Sequence, residues 1–314
     1  MALPVWQKSW NLLHWKGGFE ADSTQNNESV MVAFKDLLKA SGHWTVIGSS
    51  DGSTWNMTGT DLWTGVAAMS NQNWIVLQNT NIGAAGAFQI CLDFLGSSYA
   101  GNVRIYFSPG GNFVSDGTTS TSVPPVASDR RQYRDSFLGS GGNDTGDRFV
   151  DLWYSTDGTA WRAIAHGNQG ADLNQMWVLE EATSPRTDWT DNYLFYSADP
   201  VLANWTSGIN DPWVTADGIE TTMRMTAEGN NSGWLVEQDG CAYINEDDEW
   251  VMQKALYWFC NNSRKYGIWG KPTDWWFVNN ALATKTLLPS TGATTHIIYH
   301  NVVLPWDNTA PWEP

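Results

Sequence analysis

The chain is short of cysteine, of basic residues and of long apolar runs, and each shortage removes a class of protein. Three Cys occur in 314 residues, at Cys91, Cys241 and Cys260. An odd number with no C-x-x-C builds neither a disulfide framework nor a thiolate zinc site. Cys91 lies in the apolar run Phe88-Gln-Ile-Cys-Leu-Asp-Phe94, where a thiol kept reduced serves as a small apolar side chain. Lys and Arg number 17 against 33 Asp and Glu, a net charge of −16. Nucleic-acid binding needs a basic face to displace counterions, so no nucleic-acid partner is expected. No apolar run reaches the roughly 18 residues of a membrane helix, and Met1–Trp10 lacks a charged stretch followed by an apolar one. Neither membrane insertion nor export by a signal peptide is expected. The sequence also has no G-x-x-x-x-G-K-[ST], H-E-x-x-H or G-x-G-x-x-G.

Tryptophan is the residue in excess: 21 positions in a chain that is 42% hydrophobic and 16% charged. So much aromatic area excludes a disordered acidic tail. Residues 1–25, with Trp6, Trp10 and Trp15 among polar and Gly positions, read as an arm or irregular strand. Over 27–41 the apolar residues Val30, Ala33, Phe34, Leu37 and Leu38 recur at helical spacing, with Asn before them and Gly42 after, which predicts an amphipathic helix.

Two segments then repeat. His43-Trp-Thr-Val-Ile-Gly leads into Ser49-Ser-Asp-Gly-Ser-Thr-Trp55, and Asp151-Leu-Trp-Tyr leads into Ser155-Thr-Asp-Gly-Thr-Ala-Trp161. Asp-Gly between extended runs predicts a hairpin, since Gly supplies a positive φ and Asp bonds its own backbone. The turn residues are Asp51, Gly52 and Trp55 in one copy, Asp157, Gly158 and Trp161 in the other. Both are one residue shorter between Asp and Gly than the Asp-box of sialidase-type propellers. Two copies suggest a duplicated β unit.

The expected class is therefore mainly β with few helices, as duplicated antiparallel sandwich-like lobes. The organisation read from the sequence is an arm over 1–25, a first β lobe over 26–108, a Gly-, Ser- and Pro-rich loop over 109–147, a second β lobe over 148–303 and a Pro/Trp tail over 304–314. Phe88–Phe94 and Val103–Ser108 read as neighbouring strands. Residues 246–260 fit helix or strand and lean to strand, and Thr294–Leu304 reads as one long strand. A loop of that length is usually either a disordered linker or a surface ordered by a partner; Arg130, Arg131 and Tyr133 in its middle favour the partner and are contact candidates.

Chemistry has few candidates. His296 and His300, on one face of a single strand, would stand roughly 13 Å apart, too far for one ion. Asp144, Asp147 and Asp151 offer hard oxygen ligands suited to Ca²⁺ but lack EF-hand spacing. No cofactor is expected. A glycosidase would need two carboxylates across a sugar, and Glu180 and Glu181, adjacent on a strand, point to opposite faces. Trp275, Trp276, Trp306 and Trp312 flank Gly, Pro and Asp and are the Trp best placed for contact surface or for stacking on sugar.

In style the chain resembles uncharacterised virion structural proteins of tailed bacteriophages. The likeness rests on the paired Trp-x-Val-Ile-Gly-Ser-Ser-Asp-Gly and Trp-Tyr-Ser-Thr-Asp-Gly-Thr-Ala-Trp turns, on Val103-Arg-Ile-Tyr-Phe-Ser-Pro-Gly-Gly and on Leu304-Pro-Trp-Asp-Asn-Thr-Ala-Pro. The resemblance implies a β-rich, non-enzymatic particle component, made in the bacterial host cytoplasm and assembled in the virion, with copies of itself and other virion proteins as partners. Three other readings stand beside it: a carbohydrate-binding adhesin or host-recognition module that binds host surface glycan through exposed Trp, a capsid decoration protein, and a glycan hydrolase.

Overall fold

The computed structural model describes residues 5–17, 26–51, 54–64, 74–82, 88–94, 103–108, 131–135, 148–167, 175–181, 193–198, 213–215, 222–225, 252–254, 257–260, 266–270, 274, 276–278, 286–288, 295–299 and 302–306. Among them are one helix and strands in three antiparallel sheets. The chain divides into two compact units, Leu13–Leu152 with Asp157–Gln175, and Met1–Leu12 with Trp153–Thr156 and Met176–Pro314.

The first unit holds most of strand β1 (Trp10–Gly17), helix α1 (Asn26–Ala40), β2 (Thr45–Asp51), β3 (Thr54–Asn56), β4 (Trp74–Asn79), β5 (Phe88–Phe94), β6 (Val103–Ser108), β7 (Arg131–Asp135), part of β8 (Arg148–Ser155) and β9 (Ala160–Gly167). Its six-stranded sheet runs β3-β2-β4-β5-β6-β7, and β1, β8 and β9 are successive neighbours in another. Strand β4 is central, and Trp74, Ile75, Val76 and Leu77 are all buried, so it reads as a continuous apolar run and not as an alternation. In β5 both parities are buried: Phe88, Ile90 and Leu92 on one face, Gln89 and Cys91 on the other. The register Ile90↔Phe107, Leu92↔Ile105, Phe94↔Val103 sets β5 against β6 as the apolar pattern predicts.

Within this sheet the pairing of β2 with β4 shifts between Val46 and Gly48, a bulge that leaves Ile47 to pack with Met57 on the Trp74, Val76, Cys91 cluster. Gly48 permits this packing, because a Cβ there would stand 2.3 Å from Met57 Sδ and 2.9 Å from the Asn56 carbonyl oxygen. The stretch 109–147, read as a loop, contributes the edge strand β7, paired Phe107↔Arg131 to Val103↔Asp135. Arg-Gln-Tyr-Arg-Asp has no apolar alternation to announce a strand. Pairing through the backbone needs none, and charge suits an edge.

Helix α1 buries Met31, Ala33, Phe34, Leu37 and Leu38. Phe34 packs on Trp161 of β9 with ring centroids 5.8 Å apart, and Trp44 meets the same ring edge-on. The helix ends where Gly42, at φ 78°, donates its N–H to the Lys39 carbonyl oxygen.

The second unit holds β10 (Gln175–Glu181), β11 (Tyr193–Ala198), β12 (Trp213–Thr215), β13 (Thr222–Met225), β14 (Met252–Lys254), β15 (Tyr257–Cys260), β16 (Tyr266–Gly270), β17 (Trp276–Val278), β18 (Thr286–Leu288), β19 (His296–Tyr299) and β20 (Val302–Pro305). Strands β10, β11, β12, β13, β15 and β16 are successive neighbours, and a five-stranded sheet runs β14-β17-β20-β19-β18. The ambiguous 246–260 segment yields strands β14 and β15. The single long strand expected over Thr294–Leu304 is instead the hairpin β19-β20, in register His296↔Pro305 to Tyr299↔Val302. The His-Asn between the two strands is a polar break in an apolar run, and folding there lets Ile298 and Val303 face one core.

Candidate functional site

Among the described residues of the second unit, polar and aromatic groups gather around Asp274. Its side chain is buried at 2% exposure, and its φ of 55° lies in the left-handed region that Asp tolerates better than most residues. The carboxylate accepts three N–H groups from one segment: Gln7 N at 2.7 Å on Oδ1, Lys8 N at 2.8 Å and Trp10 Nε1 at 2.9 Å on Oδ2. Hydrogen bonds to a carboxylate are about twice as strong as neutral ones, so one buried side chain fixes the course of residues 7–10.

The same segment sets Trp6 on an aromatic floor. Trp6 stacks on His296 with centroids 4.2 Å apart and 25° between planes, and lies 4.9 Å from Trp276. Its Nε1 donates to the Thr295 carbonyl oxygen at 3.2 Å. Beneath it Trp276, Leu288, Ile298 and Val303 form a core cluster. The His296 ring is oriented by Thr295 Oγ1, 2.6 Å from Nδ1. Two further bonds hold the surroundings: Thr156 N donates to Ser9 O at 2.9 Å, and Trp153 Nε1 donates to Pro305 O at 2.7 Å. The arrangement binds a tryptophan-bearing segment by its backbone and indole N–H groups. Proline and Asp before Trp275-Trp276 were the only sequence sign of it.

Buried polar groups also meet in the first unit. His14 of β1 is bonded through Nδ1 to Asp151 of β8, which is fully buried, and the imidazole stacks on Phe149 with centroids 5.7 Å apart. Lys35 of α1, 1% exposed, holds Asp61 at 3.0 and 3.2 Å and donates to the Trp63 carbonyl oxygen. Lys39 joins the same carboxylate. Burial alone would raise the Asp61 pKa, but the Lys39 and Lys35 ammonium groups hold it below the ordinary value.

Of the residues singled out from the sequence, Trp276 lies in the core cluster at 9% exposure, and Trp306, half-buried, donates its backbone N–H to Thr295 O. Arg131 and Tyr133 stand on β7, opposite Phe107 and Ile105. Asp51 closes β2 opposite Thr54, and Trp55 pairs with Ser50. In the second turn Asp157 Oδ1 accepts from Thr159 N and Oγ1 at 3.1 and 2.7 Å, Gly158 takes φ 71°, and Trp161 is 1% exposed. Trp275, Trp312, Arg130, Gly52, Asp144 and Asp147 lie outside the described residues. Every Trp whose side chain is described is buried or half-buried. Among the described residues no three His, Cys, Asp or Glu side chains converge on a point that suits a metal ion, and no helix is long and apolar enough to cross a membrane.

Scans for a matching family model, a similar curated protein and a similar solved structure each find none.

Proposed function

We propose that the chain is a non-enzymatic structural component of a bacteriophage virion, placed in the tail, that assembles as a homo-oligomer through its arm and long loop. The observation that carries this reading is how its buried polar groups are used. Asp274 ties residues 7–10 to the C-terminal part of the second unit, and Lys35 ties α1 to Asp61 and to the Trp63 carbonyl. His14 ties β1 to β8. Each joins stretches of chain far apart in sequence, the work expected of a scaffold that must keep its shape under load. The mainly β architecture fits the β-rich component that the resemblance to phage structural proteins implies, and the paired Ser-x-Asp-Gly-x-x-Trp turns favour a duplicated β unit. A Trp surface for glycan gains no support from the described Trp side chains, which are buried or half-buried.

The test is mass photometry of the purified chain over a concentration series, with immunolabelling of phage particles whose genome encodes it. A discrete oligomer and labelled tails are expected. A monomer at high micromolar concentration with unlabelled particles would overturn the proposal.

A further inference from the structure

The segment Trp6–Trp10 belongs with a part of the molecule that is remote in sequence. Residues Met1–Leu12 group with Met176–Pro314, whereas the chain from Leu13 onward builds the other unit, so the polypeptide changes unit inside β1. The bonds that seat the segment span 264 to 289 residues. Among the described contacts, the segment is read through the Gln7 and Lys8 backbone N–H groups, the Trp6 and Trp10 indoles and the Ser9 carbonyl oxygen, and none of these is made by the covalent link through Leu12 and Leu13. Any copy of the segment offers the same donors.

Charge favours another copy as the source. Residues 1–12, the stretch that groups with the second unit, contain Lys8 and no Asp or Glu, a charge of +1. The remaining residues then carry 16 basic against 33 acidic side chains, or −17. A basic segment on an acidic molecule is drawn toward a neighbouring copy as well as toward its own body, and that attraction offsets the repulsion between two acidic bodies. Exchange of an identical element is also a low-cost route to a symmetric assembly, since the contacts are already optimised.

We infer that Asp274, Trp276, Thr295 and His296 form a receptor that takes the Trp6–Trp10 segment of a second copy of this chain. The inference rests on the homo-oligomeric reading above and adds the joint by which copies engage. Asp274 supplies the fixed acceptor, and the Trp276 and His296 rings select Trp6.

The test uses full-length chains. One carries Gln7→Cys and the other Thr295→Cys, both at exposed positions, and the two are co-expressed, purified together and treated with a short bismaleimide. A chain with both substitutions is the comparison, and linked peptides are mapped by mass spectrometry while mass photometry reports the assembly. Exchange predicts an oligomer in which position 7 of one chain is linked to position 295 of the other, with the yield cut severalfold by Asp274→Asn. An oligomer without such links, beside a double variant that links within one chain, overturns the exchange and leaves the homo-oligomer standing. A monomer overturns both, and absence of any link between positions 7 and 295 overturns the receptor itself.

Discussion

At the level of single residues, the buried charges carry the clearest energetic consequences. Replacing Asp274 removes the acceptor for Gln7 N, Lys8 N and Trp10 Nε1, and loss of bonds to a charged group costs about 1.5–3 kcal/mol. Backbone strain adds to this at φ 55°. Asp274→Ala is expected to lose about 1 kcal/mol more stability than Asp274→Gly, because Gly alone enters the left-handed region freely. Denaturant midpoints at constant slope measure the difference. For Asp61 the sign of the pH effect follows from its lowered pKa. A carboxylate whose folded pKa lies below its unfolded one stabilises the fold above the unfolded value, and that contribution is lost as pH falls through the folded pKa. Thermal melts should therefore drop below about pH 4, near the ordinary Asp value, and Asp61→Asn should flatten that limb while lowering stability at neutral pH.

Among the elements, helix α1 and the β8-β9 hairpin depend on one another through Trp161. Phe34→Ala removes the ring that α1 sets against it and is expected to cost about 3–5 kcal/mol, read from chemical unfolding. The turns that bound these elements differ in tolerance for a physical reason. Gly42 and Gly158 both have positive φ, but a Cβ at Gly42 meets nothing within 4 Å, whereas at Gly158 it would stand 2.4 Å from Asn81 Nδ2 and from His43 Nδ1. Gly42→Ala should cost about 1 kcal/mol of backbone strain. Gly158→Ala should cost about 2–4 kcal/mol, since steric displacement is added to strain, and should release the bond from Asn79 Nδ2 to Gly158 O. Paired melts of the two variants test the ordering.

For the whole molecule, net charge would set how copies meet in the homo-oligomer proposed above. Subunits at −16 repel, so an assembly joined by a basic segment responds to salt in two opposing ways. Added salt screens repulsion between bodies and also weakens the attraction to the segment. Because the Asp274 bonds are buried and screened least, moderate salt is expected to strengthen the oligomer, and mass photometry from low to physiological ionic strength reads this directly.

Some of this was legible in the residues alone. The β class follows from short apolar runs broken by Gly, Asn and Asp, and the helix from apolar residues three and four apart between Asn26 and Ala40. The hairpin at Asp157-Gly158 follows from a dipeptide whose chemistry demands a turn. Each is a local property, decided within a few residues. What escaped the sequence was pairing over distance. Lys35 on the buried side of α1 looks like an error in the helical pattern until Asp61 and the Trp63 carbonyl are seen around it. Strand β7 has no apolar signal because an edge strand is held by its backbone. Asp274 is one acidic residue among 33 until the tertiary fold brings Gln7, Lys8 and Trp10 to it from more than 260 positions away. Local spacing determines which elements form. Only the folded chain decides which buried donor meets which acceptor, because that choice depends on geometry closed over long stretches of sequence and leaves no periodic trace within them.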